Sequence, residues 1–362
     1  MKKSKDTKSF FADELLNWHH SVNSREMPWK GEKDPYKIWL SEIILQQTRV
    51  TQGLPYYLKF IKTYPTVALL AGATDSDVFK LWEGLGYYSR CRNLLTGARQ
   101  IMGLYDGIFP DDYKLILAIK GVGPYTAAAI ASFAFGLPYA VVDGNVIRVL
   151  ARYFGIYTPF DTTEGKKDFA GLAQQLIIPE HASNYNQAIM DFGASICTPA
   201  APLCEACPLQ KHCVAFKAKT VKDLPVRLKK LVKKKRWFLY FVIKTCNKIL
   251  IRQRHSKDIW QNLHEFFLVE NEAALEWNSS ESMEALEEFK GAKLSLGKQS
   301  AIYTQQLTHQ TIFARFFEIN AAKLLEAPTG YIWVSIEEMD KLAFPKIINA
   351  FLSATNAPAL LF

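Results

Sequence analysis

Cys197, Cys204, Cys207 and Cys213 fall within seventeen residues, separated by six, two and five intervening positions. A loop that short can bring four thiolates to one metal centre. Four sulfur ligands suit zinc or an iron–sulfur cluster, and the spacing alone does not choose between them. Crowded cysteines of this kind belong to a metal site in a reducing compartment, not to a disulfide framework. Cys91 and Cys246 lie outside the pattern and read as ordinary core residues.

A second constellation is Lys120-Gly121-Val122-Gly123-Pro124-Tyr125-Thr126-Ala127, a glycine turn that runs into an alanine-rich helix. Glycines let the backbone turn sharply and approach a ligand, and a helix start offers unpaired N–H groups to a phosphate. Alone it reads equally as a structural turn. Twenty residues on, Val141-Val142-Asp143-Gly144-Asn145 places an aspartate where it can cap a helix. Glu42 is a carboxyl inside an otherwise apolar helical stretch, WLSEIILQQT. Desolvation there would raise its pKa and hold a proton at neutral pH, whereas a surface position would leave it ordinary.

The elements that must position these residues differ between the two ends of the 362-residue chain, which is long enough for two cores. Up to about Cys213 apolar residues recur at helical spacing, with helices expected over Phe10–Val22, Tyr36–Thr48, Tyr87–Met102, Pro124–Phe135, Asn145–Tyr153, Glu164–Leu176 and Asn184–Ile196. Asp34-Pro35 is a cap and first-turn proline opening the second of these. Farther on, Trp237–Lys244 and Ile249–Arg254 read as a hairpin, with strands at Thr311–Ile319 and Tyr331–Val334 and helices at Glu281–Phe289 and Pro345–Ser353. The expected organisation is an all-α half over 1–216, a basic linker over 217–236 and an α+β half over 237–362.

The net charge of +9 is concentrated in that linker. Residues 1–216 carry 22 Lys and Arg against 20 Asp and Glu, residues 237–362 carry 12 against 14, and residues 217–236 carry 10 against 1. A basic strap between two near-neutral halves suits a polyanion; a solvated linker is the other reading. The longest apolar run, Thr126 to Val142, is interrupted by Gly136 and Pro138, so it reads as a buried helix and turn and no membrane span is expected.

Taken together, the cysteine spacing after NQAIMDFGASIC, the Gly121–Gly123 turn and Asp143 resemble the helix-hairpin-helix, endonuclease III superfamily. WLSEIILQQT further resembles the matching segment of MutY-type adenine DNA glycosylases. The resemblance implies a 4Fe-4S cluster on the four cysteines and a base-flipping enzyme of base excision repair. Its substrate would be duplex DNA with adenine opposite 8-oxoguanine or guanine. By the same carry-over Glu42 protonates the leaving adenine, Asp143 stabilises the sugar cation and Tyr125 assists. Tyr125 stands where lyases of the superfamily carry a Schiff-base lysine, so a monofunctional glycosylase is expected. Gly121, Gly123, Thr126 and Asn145 would contact DNA, Gln47, Leu85 and Tyr87 would wedge the duplex, and Arg25, Trp29 and Gln187 would line the adenine pocket.

The C-terminal half resembles the MutT/Nudix-like domain that such enzymes use to sense the lesion, without the Glu-rich metal helix of a working hydrolase. Leu307-Thr308-His309 stands where the family carries Phe-Ser-His; Thr308 keeps the hydroxyl and Leu307 departs from the aromatic, and the resemblance implies that Thr308 and His309 contact the lesion. A monomer in the cytoplasm, at the nucleoid of a bacterium, completes the expectation. The alternatives are an endonuclease III-like glycosylase/lyase on oxidised pyrimidines and a non-catalytic iron–sulfur DNA-binding protein.

Overall fold

The computed structural model describes residues 2–228, 233–245, 247–274, 276, 278–289, 293–324 and 326–355. In chain order the helices are α1 (Lys2–Ser21), α2 (Pro35–Leu45), α3 (Val50–Thr63), α4 (Val67–Gly72), α5 (Asp75–Trp82), α6 (Tyr88–Tyr105), α7 (Tyr113–Leu117), α8 (Pro124–Phe135), α9 (Gly144–Phe154), α10 (Thr163–Leu176), α11 (Ala182–Ser195) and α12 (Val214–Lys217). Then come β1 (Lys234–Thr245), β2 (Lys248–Gln253), β3 (His264–Glu265), β4 (Phe267–Asn271), α13 (Ser280–Leu286), β5 (Leu294–Gln299), β6 (Tyr303–Gln306), β7 (Gln310–Ala321), β8 (Tyr331–Ser335), α14 (Ile336–Met339) and α15 (Lys346–Ala354). No described helix is long and apolar enough to cross a membrane.

The chain forms two compact units, one of residues 1–71 and 96–230, the other of residues 72–95 and 231–362. The first is helical. Its core brings Leu15 and Trp18 of α1 together with Val149 and Leu150 of α9, Phe169 of α10 and Tyr185, Ile189 and Phe192 of α11, all buried. In the position of Gly193 a Cβ would stand 2.7 Å from Asn145 Cβ, so only glycine lets α11 lie this close to the start of α9. α2 starts as its sequence dictates: Asp34 accepts a hydrogen bond from Tyr36 N–H at 2.9 Å and Pro35 occupies the first turn. It stops three residues short of the expected Thr48. Gln46 has already left helical geometry, and Gln47 takes the left-handed conformation with φ +56°.

The second unit is built on one eight-stranded sheet with the path β3-β2-β1-β7-β5; β4 joins β1, β8 joins β2 and β6 joins β7. β1 and β7 run parallel, Trp237 beside Phe313 and Phe241 beside Phe317, and the other pairings are antiparallel. Leu239, Phe241, Ile243, Leu250 and Phe317 bury one face. β3 to β6 were not foreseen, because β3 and β6 span two and four residues and β5 is mostly exposed, with no alternating apolar pattern to read.

Two boundaries differ from the sequence expectation. β1 opens at Lys234, inside the stretch read as linker, and Arg236 there is buried against Asp258 and Glu270. Its charge is therefore neutralised within the sheet rather than offered to a polyanion. Arg227 likewise reaches Asp161, at 3.8 Å. Residues 229–232 of the strap lie outside the described residues, as does Cys246, so the expectation for that cysteine finds no counterpart here. Residues 72–95, sequence-distant from the sheet, pack with it: Lys80 Nζ donates to Leu342 O at 2.9 Å, and Phe344 N–H donates to Glu83 Oε1 at 2.7 Å. Hydrophobic periodicity identifies a helix but not which core its apolar face joins.

Candidate active site and cysteine cavity

A cavity of about 840 Å3 opens in the helical unit, lined among others by Arg25, Trp29, Glu42, Gln47, Tyr125, Asp143 and Gln187. Three helices converge on it. α2 carries Glu42 on the turn between buried Ser41 and Ile43; α8 brings Tyr125 in its first turn; Asp143 stands at the N-terminus of α9. Gly121, with φ +83°, makes the reversal that delivers α8, and Gly123 is its N-cap.

The Glu42 carboxyl is raised to about 7. Burial is the main cause and the nearby Asp143 charge adds to it, while a hydrogen bond from the Tyr125 hydroxyl opposes both. That hydroxyl donates as well to Met190 Sδ, at 3.6 Å. Burial and the two carboxylates hold the Tyr125 phenol well above its ordinary value, so it stays a neutral donor.

Asp143 accepts from Val146 N–H at 2.8 Å, as a helix cap does, and from Asn145 Nδ2 at 2.8 Å. Burial raises its carboxyl, and these two hydrogen bonds hold it back. Cap and cavity-facing carboxylate are thus one side chain. Arg148 supports the arrangement from behind: its Nη2 donates to Asn145 Oδ1 at 2.8 Å and to Gly193 O at 2.7 Å, and its Nε to Cys197 O at 2.7 Å. A proton donor and a carboxylate stabilised by two hydrogen-bond donors, facing one cavity, can cleave a bond that needs acid at one end and negative charge at the other.

Beyond α11 the four cysteines wind through two short 3-10 turns, Cys204–Ala206 and Gln210–His212. Cys197, Cys204, Cys207 and Cys213 all border one small cavity with Arg152, Leu203 and Phe216. Arg152 Nη1 points at Cys197 Sγ from 3.5 Å, and Cys213 Sγ donates to Arg152 O at 3.5 Å. Burial pushes the Cys207 thiol up to about 12 and raises Cys204 and Cys213. Among the described residues no three His, Cys, Asp or Glu side chains converge as ligands of a single ion would. The four thiols line one small cavity, a soft sulfur donor set of the kind that suits zinc or an iron–sulfur cluster. Close by, the Tyr153 hydroxyl is buried with no hydrogen-bond partner while feeling the Cys213 and Cys207 thiols. An orphaned donor beside a sulfur cage fits a polarisable sulfur acceptor.

Two family models match the chain. Residues 40–174 match the HhH-GPD superfamily of base excision DNA repair proteins, and residues 239–354 match the NUDIX domain. The adenine DNA glycosylase of Buchnera aphidicola subsp. Baizongia pistaciae is 32% identical over 350 residues, covering 95% of this chain and 96% of that protein. The chain belongs to the adenine DNA glycosylase family. The human adenine DNA glycosylase is 41% identical over 214 residues, 57% of this chain and 39% of that protein. Among solved structures, a thermostable thymine-DNA glycosylase shares 31% identity with a TM-score of 0.56, covering 59% of this chain and 99% of that one. An endonuclease III–DNA complex, at 21% identity and a TM-score of 0.51 over 58% and 95%, shares the fold.

In this family member, Glu42, Tyr125, Asp143, Asn145, Gln47, Arg25, Trp29 and Gln187 all line one cavity. Trp29 is held edge-on by Tyr57, ring centres 5.4 Å apart. Gln47 is exposed in its strained backbone conformation at the cavity edge. In the second unit, Tyr87 is 42% exposed with φ +49°, and its hydroxyl lies 2.6 Å from Thr308 Oγ1; His309 is exposed on the same turn.

Two expected DNA contacts are corrected. Leu85 is buried, 4% exposed, and packs inward instead of wedging a duplex. Thr126 is also buried, its hydroxyl 3.3 Å from Gln46 Nε2, so it ties α8 to α2. Asn145 stays on the cavity wall, its side chain donating to Asp143 and accepting from Arg148, so it also supports the carboxylate. Arg148, Met190 and Asp191 were missed. Arg148 follows Asp143 by five residues, a spacing that places it one turn into the same helix and could have flagged it.

Proposed function

We propose that the chain is a monofunctional adenine DNA glycosylase that removes adenine opposite 8-oxoguanine or guanine in duplex DNA. The observation that carries the reading is the meeting of Glu42 and Asp143 on one cavity, with the Glu42 carboxyl raised to about 7. Neutral adenine is a poor leaving anion, so the bond breaks only if the base accepts a proton as it departs. With its carboxyl raised to about 7, Glu42 is partly protonated at neutral pH and can supply that proton. Asp143, its charge kept by Val146 and Asn145, faces the oxocarbenium character left on the sugar.

The base reaches the cavity by leaving the stack, with Arg25, Trp29 and Gln187 around it. Gln47 and Tyr87 fill the gap in the duplex, and Thr308 and His309 sense the partner base. No lysine takes the place of Tyr125, which favours hydrolysis that leaves an intact abasic strand.

Cys197, Cys204, Cys207 and Cys213 would hold a 4Fe-4S cluster, whose iron–sulfur core ties the loop together when bound. Arg152 neutralises the cage from one side, and Arg148 joins Cys197 O to Asn145 and so to Asp143. We take the enzyme to act as a monomer in the cytoplasm, where the DNA is. A single-turnover assay on duplexes with adenine opposite 8-oxoguanine or guanine, read with and without alkali, tests the reading. Base release that yields strand breaks only after alkali is expected; release of oxidised pyrimidines with direct strand cleavage would overturn it.

A further inference from the structure

Asp191 is a charged side chain that the chemistry above leaves unused. It lies on α11, next to Met190 and one turn after Gln187, and its side chain is fully buried. Oδ1 accepts from Arg25 Nη1 at 2.7 Å, and Oδ2 accepts from Asn23 Nδ2 at 2.9 Å and Lys30 Nζ at 3.4 Å. Lys30 Nζ donates as well to Arg25 O at 2.9 Å. All three donors belong to residues 22–34, the loop between α1 and α2 that gives the cavity Arg25, Met27, Trp29 and Lys30.

A loop without regular structure has many conformations, and one carboxylate taking three donors removes most of them. A guanidinium is a rigid planar fork, so fixing one Nη also sets the direction of its other N–H groups. Arg25 is 32% exposed, on the cavity wall, with that direction fixed from behind by α11. Mere packing of loop on helix would be met by an apolar side chain; a fully buried carboxylate is costly to desolvate, and what it adds is the placement of two cations.

We propose, resting on the reading of the cavity as a purine pocket, that Asp191 is a positioning residue that holds Arg25 and the Trp29 loop in register with the flipped base. Seating the base against Arg25 sets its ring nitrogens toward Glu42 before the proton moves. Asp191 touches neither base nor sugar and acts only through Arg25 and the loop.

The test compares wild type, Asp191→Asn, Arg25→Gln and the double variant. Each is assayed for single-turnover adenine excision and for affinity to a duplex carrying a stable abasic analogue, which has no base to seat. Asp191→Asn should slow excision about 10- to 100-fold, the scale of a misplaced reacting group, with abasic-duplex affinity unchanged. The double variant should lose less than the product of the two single losses, because part of each loss acts through Arg25. Losses that multiply, or an equal loss of abasic-duplex affinity, overturn the proposal. Arg25→Lys, which keeps the charge and loses the fork, covers the case in which Asp191→Asn does not fold; it should reproduce the slowing, and excision at the wild-type rate would overturn the assignment. A wild type that releases no adenine would sink the purine-pocket reading itself, whereas an active wild type with an unaffected Asp191→Asn sinks only the positioning role.

Discussion

The Tyr125 hydroxyl in the first turn of α8, which donates to Met190 Sδ at 3.6 Å, also acts on the Glu42 carboxyl in the middle of α2 as a hydrogen-bond donor that lowers its pKa. Glu42 therefore sits between opposed influences: burial and the Asp143 charge raise it to about 7, and this hydrogen bond limits the rise. As the acid it must be protonated, so the excision rate should be full below that value and fall as pH rises through it. Asp143 must be ionised and is itself raised by burial, so a second loss follows at low pH. The two carboxyls share the profile, and its limbs belong to the pair. Glu42→Gln should reduce single-turnover excision about a hundredfold to ten-thousandfold, the worth of a general acid, and abolish the alkaline limb. A rate that climbs steadily into alkaline pH would contradict the assignment.

Tyr125→Phe removes the one influence that holds Glu42 down. The carboxyl should then titrate at higher pH, and the alkaline limb of the excision profile should move the same way. Near neutral pH the loss should be modest, about tenfold or less, since an acid within reach of adenine is still present. A limb that stays where it was would mean that the hydroxyl does not bond Glu42 when DNA is bound.

Asp143→Asn separates two roles held by one side chain. Asn caps helices about as well as Asp, so α9 should keep its start and thermal stability should change little. Excision should fall about 10²- to 10³-fold, because the carbocation loses its facing charge. Circular dichroism melting beside the excision assay checks both halves; a large fall in melting temperature would show that the cap dominates.

Much of the site was legible before the fold was known, for reasons that differ by residue. Glu42 and Asp143 stood out locally, as a charge in an apolar helix and an aspartate before Gly-Asn-Val, but those patterns fit a surface carboxyl and a helix cap equally well and their catalytic roles came from family resemblance; the cysteine spacing is local too. The grouping of Arg25, Trp29 and Gln187 with them came from family resemblance, not from the residues. Burial was not legible: Leu85 and Thr126 occupy motif positions, yet tertiary packing turned both inward. Asp191 was hidden inside the quoted NQAIMDFGASIC, where a lone aspartate in a helix carries no sign of three donors 161 to 168 residues away. The division of the chain was only half readable, since the affiliation of residues 72–95 with the sheet depends on which core their apolar faces meet.

The contact of Tyr87 with Thr308 links a loop residue to the β6–β7 turn across 221 residues of sequence. Both side chains are partly open to solvent, so their coupling should be small, at most about 1 kcal/mol in a double-mutant cycle on stability. Thr308→Ala should instead act on substrate choice. It should slow excision opposite 8-oxoguanine more than opposite guanine, narrowing the ratio of the two rates. Equal slowing on both duplexes would assign Thr308 to general DNA binding.

The cysteine cavity separates the two metal readings left open by spacing. A cluster predicts about four irons per chain and broad visible absorbance, whereas a structural zinc predicts one zinc and none. Thiols raised by burial must lose protons to bind metal, so reconstitution of the stripped protein should be less favourable as pH falls. Because Arg148 hydrogen-bonds both Cys197 O and Asn145 Oδ1, loss of the loop's order should reach Asp143 as well as the melting temperature. Cys204→Ala should therefore lower iron content, thermal stability and excision together. A fully active protein that holds one zinc and no iron would overturn the cluster, leaving the Glu42–Asp143 cavity to stand without it.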